Sequence, residues 1–395
     1  MTSLNSPCPQ PEQKRIWLKV AIAAAMICGL ALSHRLWVTT RLYPLTPVFS
    51  WLPALPFPLD YCLFAVLLGS LVAIAVIGKP LKSMTVSFIV AALVLGLLDQ
   101  SRWQPWFYQY VFMLAALGLY ESSGRNGASR GALNVSRLIL ISTYWWSGLQ
   151  KLNANFVNET FPDVAAGLLK VLPRSAPHAP RLLALAIPLL EMLVAAGLLT
   201  RKYRNGAVIL SVATHLSILI LLIASGENQV VWPWNVAMAL SVVILFWREP
   251  ETPARAVLTP KGVLHALTLI LFGIMPALSY VDLWDSYPSF ALYSGNTRQA
   301  VVNVSPALIE RLPPQLRPYI WQSSEPFFLD INRWAYGELN VPAYPEPRIY
   351  SRVAETICGY EPGSSEIRLR IKSKPEVLTG IRQSQYYDCS HLHDP

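Results

Sequence analysis

The chain has 395 residues, 53% of them hydrophobic and 14% charged, with a mean hydropathy of +0.37. A soluble domain carries roughly a quarter charged residues, so the composition excludes an ordinary soluble protein and points to one embedded in the lipid bilayer. Up to residue 281 the chain holds 21 Lys and Arg against 10 Asp and Glu, and beyond it 11 against 13. The net charge of +9 therefore sits in the apolar part, where topology accounts for it and no nucleic-acid partner is needed.

A helix that crosses a bilayer takes about 20 mostly apolar residues. Nine runs approach that pattern: 17–33, 60–78, 84–99, 105–121, 133–151, 181–199, 205–225, 231–247 and 262–281. The first follows Lys14, Arg15 and Lys19, as a signal peptide would. It lacks a small-x-small cleavage site and further runs follow, so it reads as an uncleaved first helix. Between the first and second runs, residues 42–58 contain Pro44, Pro47, Pro53, Pro56 and Pro58. This spacing cannot sustain a helix. The segment is expected to lie against the membrane surface or to cover the mouth of the bundle.

With the N-terminus in the cytoplasm, 14 basic residues fall on the inner side and 7 on the outer. The positive-inside rule favours this orientation. The strongest single anchor is Arg201-Lys202-Tyr203-Arg204. Nine crossings then place the C-terminal region outside the cytoplasm. The expected architecture is an all-α polytopic bundle, residues 1–281, with a small extracytoplasmic α+β domain, residues 282–395. That domain is expected to contain strands at 299–304 and 366–373 and helices at 306–312, 328–338 and 348–358. Five cysteines are present, and only Cys358 and Cys389 fall in this outer domain. In an oxidising compartment they would pair; the other reading is two buried thiols.

Ionisable residues inside spans are costly and usually face the bundle interior. Here they are Glu191 and His215 mid-span, with Asp99, Glu121, Lys151 and Glu227 near span ends. Glu191 and His215 are candidates to pair across neighbouring helices, either to fix register or to handle protons. Lys151 ends the run Tyr144-Trp145-Trp146-Ser147-Gly148-Leu149-Gln150-Lys151. On a helix, Tyr144, Ser147, Gly148 and Lys151 share one face. Two readings stand: a lysine snorkelling to the headgroups, or a base in a cavity approached past the small residues. Trp232-Pro233-Trp234 suits an interfacial belt, whereas Asn235 is polar and is placed near Lys151. Phosphate-binding, zinc-hydrolase, redox CxxC and serine-hydrolase motifs are absent, the histidines are scattered, and no metal is expected.

Four segments resemble the HTTM family, the membrane domain shared with vitamin K-dependent gamma-carboxylases: LLDQSRWQPWFYQY (97–110), YWWSGLQKLNANF (144–156), EMLVAAGLLTRKYR (191–204) and THLSILILL (214–222). The likeness spans roughly residues 15–280. It implies that Lys151 is a base toward a reduced, vitamin K-like quinone, in a reaction that ends with carbon dioxide adding to glutamate. Glu191 and His215 would share the catalytic cavity, and Tyr144, Ser147, Gly148, Trp106 and Asn235 would hold the cofactor. Trp106 stands where the carboxylases have a histidine, and Gln150 where they have a second lysine. The C-terminal region is also much shorter than theirs. The expected activity is a quinol-dependent oxidoreductase or carboxylase-like reaction at an outer-face site. Two other readings are a non-catalytic platform that presents residues 282–395 to an extracytoplasmic protein, and a DoxX-like redox subunit.

Overall fold

In the computed structural model, residues 9–77, 82–121, 125–166, 178–226, 228–249, 254–321, 327–362 and 366–392 are described. Glu227, singled out above, lies outside them, as do Lys79, Lys170 and Arg174, which entered the charge count. Each of the nine apolar runs falls on a helix: α1 (Pro11–Leu32), α2 (Leu59–Val76), α3 (Lys82–Leu98), α4 (Pro105–Leu119), α5 (Arg125–Gln150), α6 (Ala179–Leu199), α7 (Arg204–Ser225), α8 (Val231–Phe246) and α9 (Val263–Val281). Among the described residues, α1, α2, α6, α7 and α9 are long and apolar enough to cross a membrane. Helices α3 and α8 are apolar but shorter.

Helix α1 is the hub. It packs against α2, α4, α5 and α8, and Leu18, Ile22, Met26 and Leu30 recur every four residues along its buried face. Helix α9 begins as α-helix, widens to a π-helical stretch over Leu269–Ile274 and tightens to a 3-10 helix over Met275–Val281. Pro276 opens that last stretch, where its missing N–H costs least. As the prolines require, 42–58 forms no regular helix up to the turn that leads into α2. It covers part of the bundle end, one of the two placements expected of it. Tyr43 and Thr46 are buried over the bundle end, while Phe49, Trp51 and Phe57 are exposed.

One end of the bundle gathers basic side chains against open helix termini. Arg15 donates to the Leu117 carbonyl (2.7 Å) and Arg204 to that of Leu198 (3.1 Å). Arg137 donates to the Leu245 carbonyl (3.1 Å), and Glu249 pairs with both Lys14 and Arg137. These cations satisfy carbonyls that helix C-termini leave without partners.

The region after 281 docks on the opposite end. Its sheet is antiparallel, in the order β2-β3-β1-β4-β5, with β1 Gln299–Val304, β2 Ile320–Trp321, β3 Phe327–Asp330, β4 Arg368–Lys372 and β5 Ser384–Asp388. Helices α10 (Pro306–Arg311), α11 (Ile331–Leu339) and α12 (Pro347–Cys358) complete it. The sheet's core face holds Val302, Leu329, Leu369 and Ile371. Cys358 and Cys389 form a disulfide that ties the chain's last segment to the end of α12. The expected strands and helices are present, with one correction. Residues 328–330 belong to β3, and the helix starts at Ile331 because Asp330 caps it by accepting from the Arg333 N–H (3.0 Å). Docking is polar as well as apolar. Tyr43 N–H donates to Glu338 (2.9 Å), Gln104 to the Pro342 carbonyl (3.2 Å), and Ala154 N–H to the Val377 carbonyl (2.8 Å).

Candidate functional site

Helices α6 and α7 are joined by the short turn at 200–203, and Gly197 lets the two helices touch there. A Cβ on it would sit 2.8 Å from the Ala207 Cβ. Toward their far ends, the segment Phe156–Val164 packs against both helices. Phe156 and Phe161 form a small apolar cluster with Ala184 and Ile187 of α6. Behind this wedge lies a cavity of about 160 Å³. Helix α5 forms its floor through Thr143, Tyr144, Ser147 and Lys151. Helix α6 adds Glu191, α7 adds Thr214, His215 and Ile218, and α8 adds Trp234, Asn235 and Met238. Phe290, Leu292 and Tyr293 close it from the C-terminal region.

Helix α5 ends at Gln150, alongside this cavity, and Lys151 follows it. The Lys151 and Leu152 N–H groups turn back to carbonyls three residues earlier. Asn153 then donates to the Gln150 and Ser294 carbonyls (2.8 Å each) and accepts from the Phe156 N–H (2.8 Å). Lys151 is thus fixed at a rigid corner and is only 8% exposed. Its ammonium does not run outward. It donates to Glu191 Oε2 at 2.8 Å and Oε1 at 3.0 Å, and to Ser147 Oγ. The snorkelling reading gives way to a buried ion pair.

The expected pairing of Glu191 with His215 is also replaced. His215 instead sits in its own chain of hydrogen bonds. Asn235 Nδ2 donates to the Val231 carbonyl (2.9 Å), an acceptor only, and this sets the amide's orientation. Asn235 Oδ1 then faces His215 Nδ1 at 2.9 Å, so that nitrogen carries the proton. In the neutral imidazole His215 Nε2 is then the acceptor, and the Tyr144 hydroxyl, 2.6 Å away, is its donor. Ser211, one turn before His215, lies 2.6 Å from the same hydroxyl and completes the chain as its donor. Two polar units therefore share one apolar cavity: an ion pair, and a neutral Ser-Tyr-His-Asn chain.

Lys151, Glu191, His215, Tyr144, Ser147 and Asn235 all line the cavity. Gly148 and Trp106 do not. Gly148 lies at the α5–α6 crossing, where a Cβ would be 2.6 Å from the Pro188 carbonyl oxygen and 3.2 Å from Glu191 Cβ. It permits the close approach that brings Lys151 and Glu191 together. Trp106 is a core residue against Gly29, Trp37 and Tyr110. Gln150 points away from the cavity. It donates to Ser279 Oγ (2.8 Å) and accepts from Asn296 (2.6 Å), so it helps clamp the C-terminal region. Ser211 was detectable as a hydroxyl one helical turn from His215. Phe161, Leu292 and Tyr293 gave no such signal, because only the tertiary fold brings them here.

Among the described residues, no group of three or more His, Cys, Asp or Glu is placed to hold a metal. No family model matches the chain, and searches of curated proteins and of solved structures return no match.

Proposed function

We propose that this is a multi-pass membrane enzyme whose Lys151 cavity accepts a reduced quinone and removes a proton from its hydroxyl. The observation that carries the reading is a buried Lys151–Glu191 pair opening into a cavity walled by Phe156, Phe161, Ile187, Ile218 and Leu222. The apolar walls suit a flat, greasy ring, and the charged pair at one end suits its ionisable group. About 160 Å³ is small beside typical ligand sites of roughly 300–1,000 Å³. A single ring system fits that limit. Ile187 and Ile218 are only half-buried, so an attached chain would leave between α6 and α7 toward lipid.

A reduced quinone supplies an acidic hydroxyl on an apolar body. Lys151 reaches its basic form by passing one proton to Glu191, which leaves a neutral amine beside a neutral carboxylic acid. The transfer runs along the 2.8 Å hydrogen bond that already joins the two side chains. The amine then takes the hydroxyl proton and becomes ammonium again, while Glu191 keeps the first proton until release. Tyr144, with His215 behind it, is positioned to orient the ligand by hydrogen bonding. The proposed topology is nine crossings with the basic bundle end in the cytoplasm. The cavity and the C-terminal region then lie toward the outer face. The motif likeness to the vitamin K-dependent carboxylases supports the same reading of Lys151.

The test is a binding and turnover assay of the purified protein with a reduced naphthoquinone and dioxygen as co-substrate, which supplies the epoxide oxygen and leaves as water, following binding and epoxide formation. Lys151→Met is expected to abolish epoxide formation. Unchanged turnover in a folded variant would remove Lys151 from the chemistry.

A further inference from the structure

A larger cleft of about 380 Å³ lies on the C-terminal region, where β1 begins and β4 ends. Its volume falls within the usual range for small-molecule sites, about 300–1,000 Å³. The cleft is polar and aromatic. Tyr287 and Tyr350 are buried in its wall, and both hydroxyls are used on backbone carbonyls, those of Ala343 (3.1 Å) and Arg298 (2.9 Å). They therefore present ring surface to the cleft.

Four charged side chains line it: Arg298, Arg370, Lys372 and Asp330. Two of them are already committed. Arg298 is neutralised by Asp282 (2.8 Å) and Glu346 (3.0 Å), and Asp330 is turned to the start of α11, which it caps. The other two are left over. Arg370 and Lys372 lie two apart on β4, hence on one face of the sheet, and neither forms an ion pair among the described residues. The Arg370 guanidinium stacks over Phe328 at 4.7 Å, and its buried Nε has no hydrogen-bond partner. A buried donor without a partner is costly. A positive pair with an unused donor in a cleft is the complement of an oxyanion.

The wall of this cleft adds an independent observation. Leu292 and Tyr293 line both the cleft and the Lys151 cavity. Tyr293 has φ of 56° and nearby Phe290 has φ of 60°. The left-handed region is unfavourable for bulky aromatic residues, and such strain concentrates at ligand-binding walls. The two compartments are thus back to back, one apolar and one cationic.

We propose that the cleft at Arg370 and Lys372 is a second binding site, for a small molecule bearing a carboxylate or phosphate group. The site stands on its own residues and does not depend on the chemistry at Lys151. Calorimetric titration of the full chain in detergent with inorganic phosphate, and separately with benzoate, tests it. Saturable binding of either anion is expected, and the anion that binds identifies the group. Arg370→Gln together with Lys372→Gln should weaken binding by at least about tenfold, while Arg333→Gln, over Trp321 outside the cleft, should not. Lys372→Gln alone should cost about threefold, and it serves if the double variant does not fold. Absence of saturable binding for both anions, or an affinity in Lys372→Gln equal to that of the unmodified chain, would overturn the site.

Discussion

Lys151 Nζ and Glu191 Oε2 lie 2.8 Å apart, and both side chains are almost completely enclosed. Removing one partner leaves the other charge buried without compensation, at a cost of about 3–5 kcal/mol. Replacing both by apolar residues avoids that penalty. Lys151→Met and Glu191→Met should each lower stability in detergent unfolding, and the double variant should recover most of the loss. If the double variant lost the sum of the two singles, the pair would be carrying no mutual charge.

Tyr144→Phe removes a hydroxyl that serves both His215 and Ser211. Two buried groups lose a partner, and a loss of about 1–3 kcal/mol is expected. The same geometry fixes the histidine's proton on Nδ1. Nitrogen NMR of labelled protein should find His215 Nδ1 protonated and Nε2 bare, and Asn235→Leu should release that preference. A proton on Nε2 in the unmodified chain would contradict the assigned chain of donors.

Gly148→Ala places a methyl group against the Pro188 carbonyl and Glu191 Cβ. Overpacking of this kind costs about 1–3 kcal/mol. It should also part α5 from α6 at the ion pair, so Glu191→Met should be less damaging in the Gly148→Ala background than alone. Strict additivity of the two losses would place Gly148 outside the pair's support.

Alkaline pH should unfold the C-terminal region. Burial is the main cause that holds the Tyr287, Tyr344 and Tyr350 hydroxyls well above the ordinary tyrosine range. A folded-state value above the unfolded one gives stability that is whole below about pH 10, the unfolded tyrosine value, and is lost as pH rises further. Tyrosinate absorbance followed with pH should rise together with unfolding. Ionisation of these residues in a chain that stays folded would contradict their enclosure.

The Cys358–Cys389 bond closes a separation of 31 residues. Chain entropy alone assigns such a loop about 3–4 kcal/mol. Cys389→Ser should lower the stability of the C-terminal region by an amount of that order. In the unmodified protein, alkylation should change the mass at these two cysteines only after reduction.

The helices were legible because an apolar run of span length has few other outcomes, and five of them keep that length and apolarity in three dimensions. The face joining Tyr144, Ser147 and Lys151 was legible for the same reason, since helical periodicity alone places those residues together. What periodicity cannot give is the partner across the bundle. Glu191 and His215 are both mid-helix and polar, and nothing in the linear pattern says which one meets Lys151. The crossing at Gly148 and Pro188 decides that, and it selects Glu191. Trp106 failed as a cavity residue because its place came from a motif likeness, whereas the fold buries it against α1. The two-residue strand β2 and the exposed strand β5 were missed because neither carries a long alternating pattern.

The most direct test is mass spectrometry of lipids bound to the purified protein, compared with Ile187→Trp, which fills the Lys151 cavity from its half-buried wall. A quinone that co-purifies with the unmodified chain and is lost from the folded Ile187→Trp variant is the predicted result. No quinone in the unmodified protein, or equal amounts in both, would contradict the assignment of this cavity to a quinone.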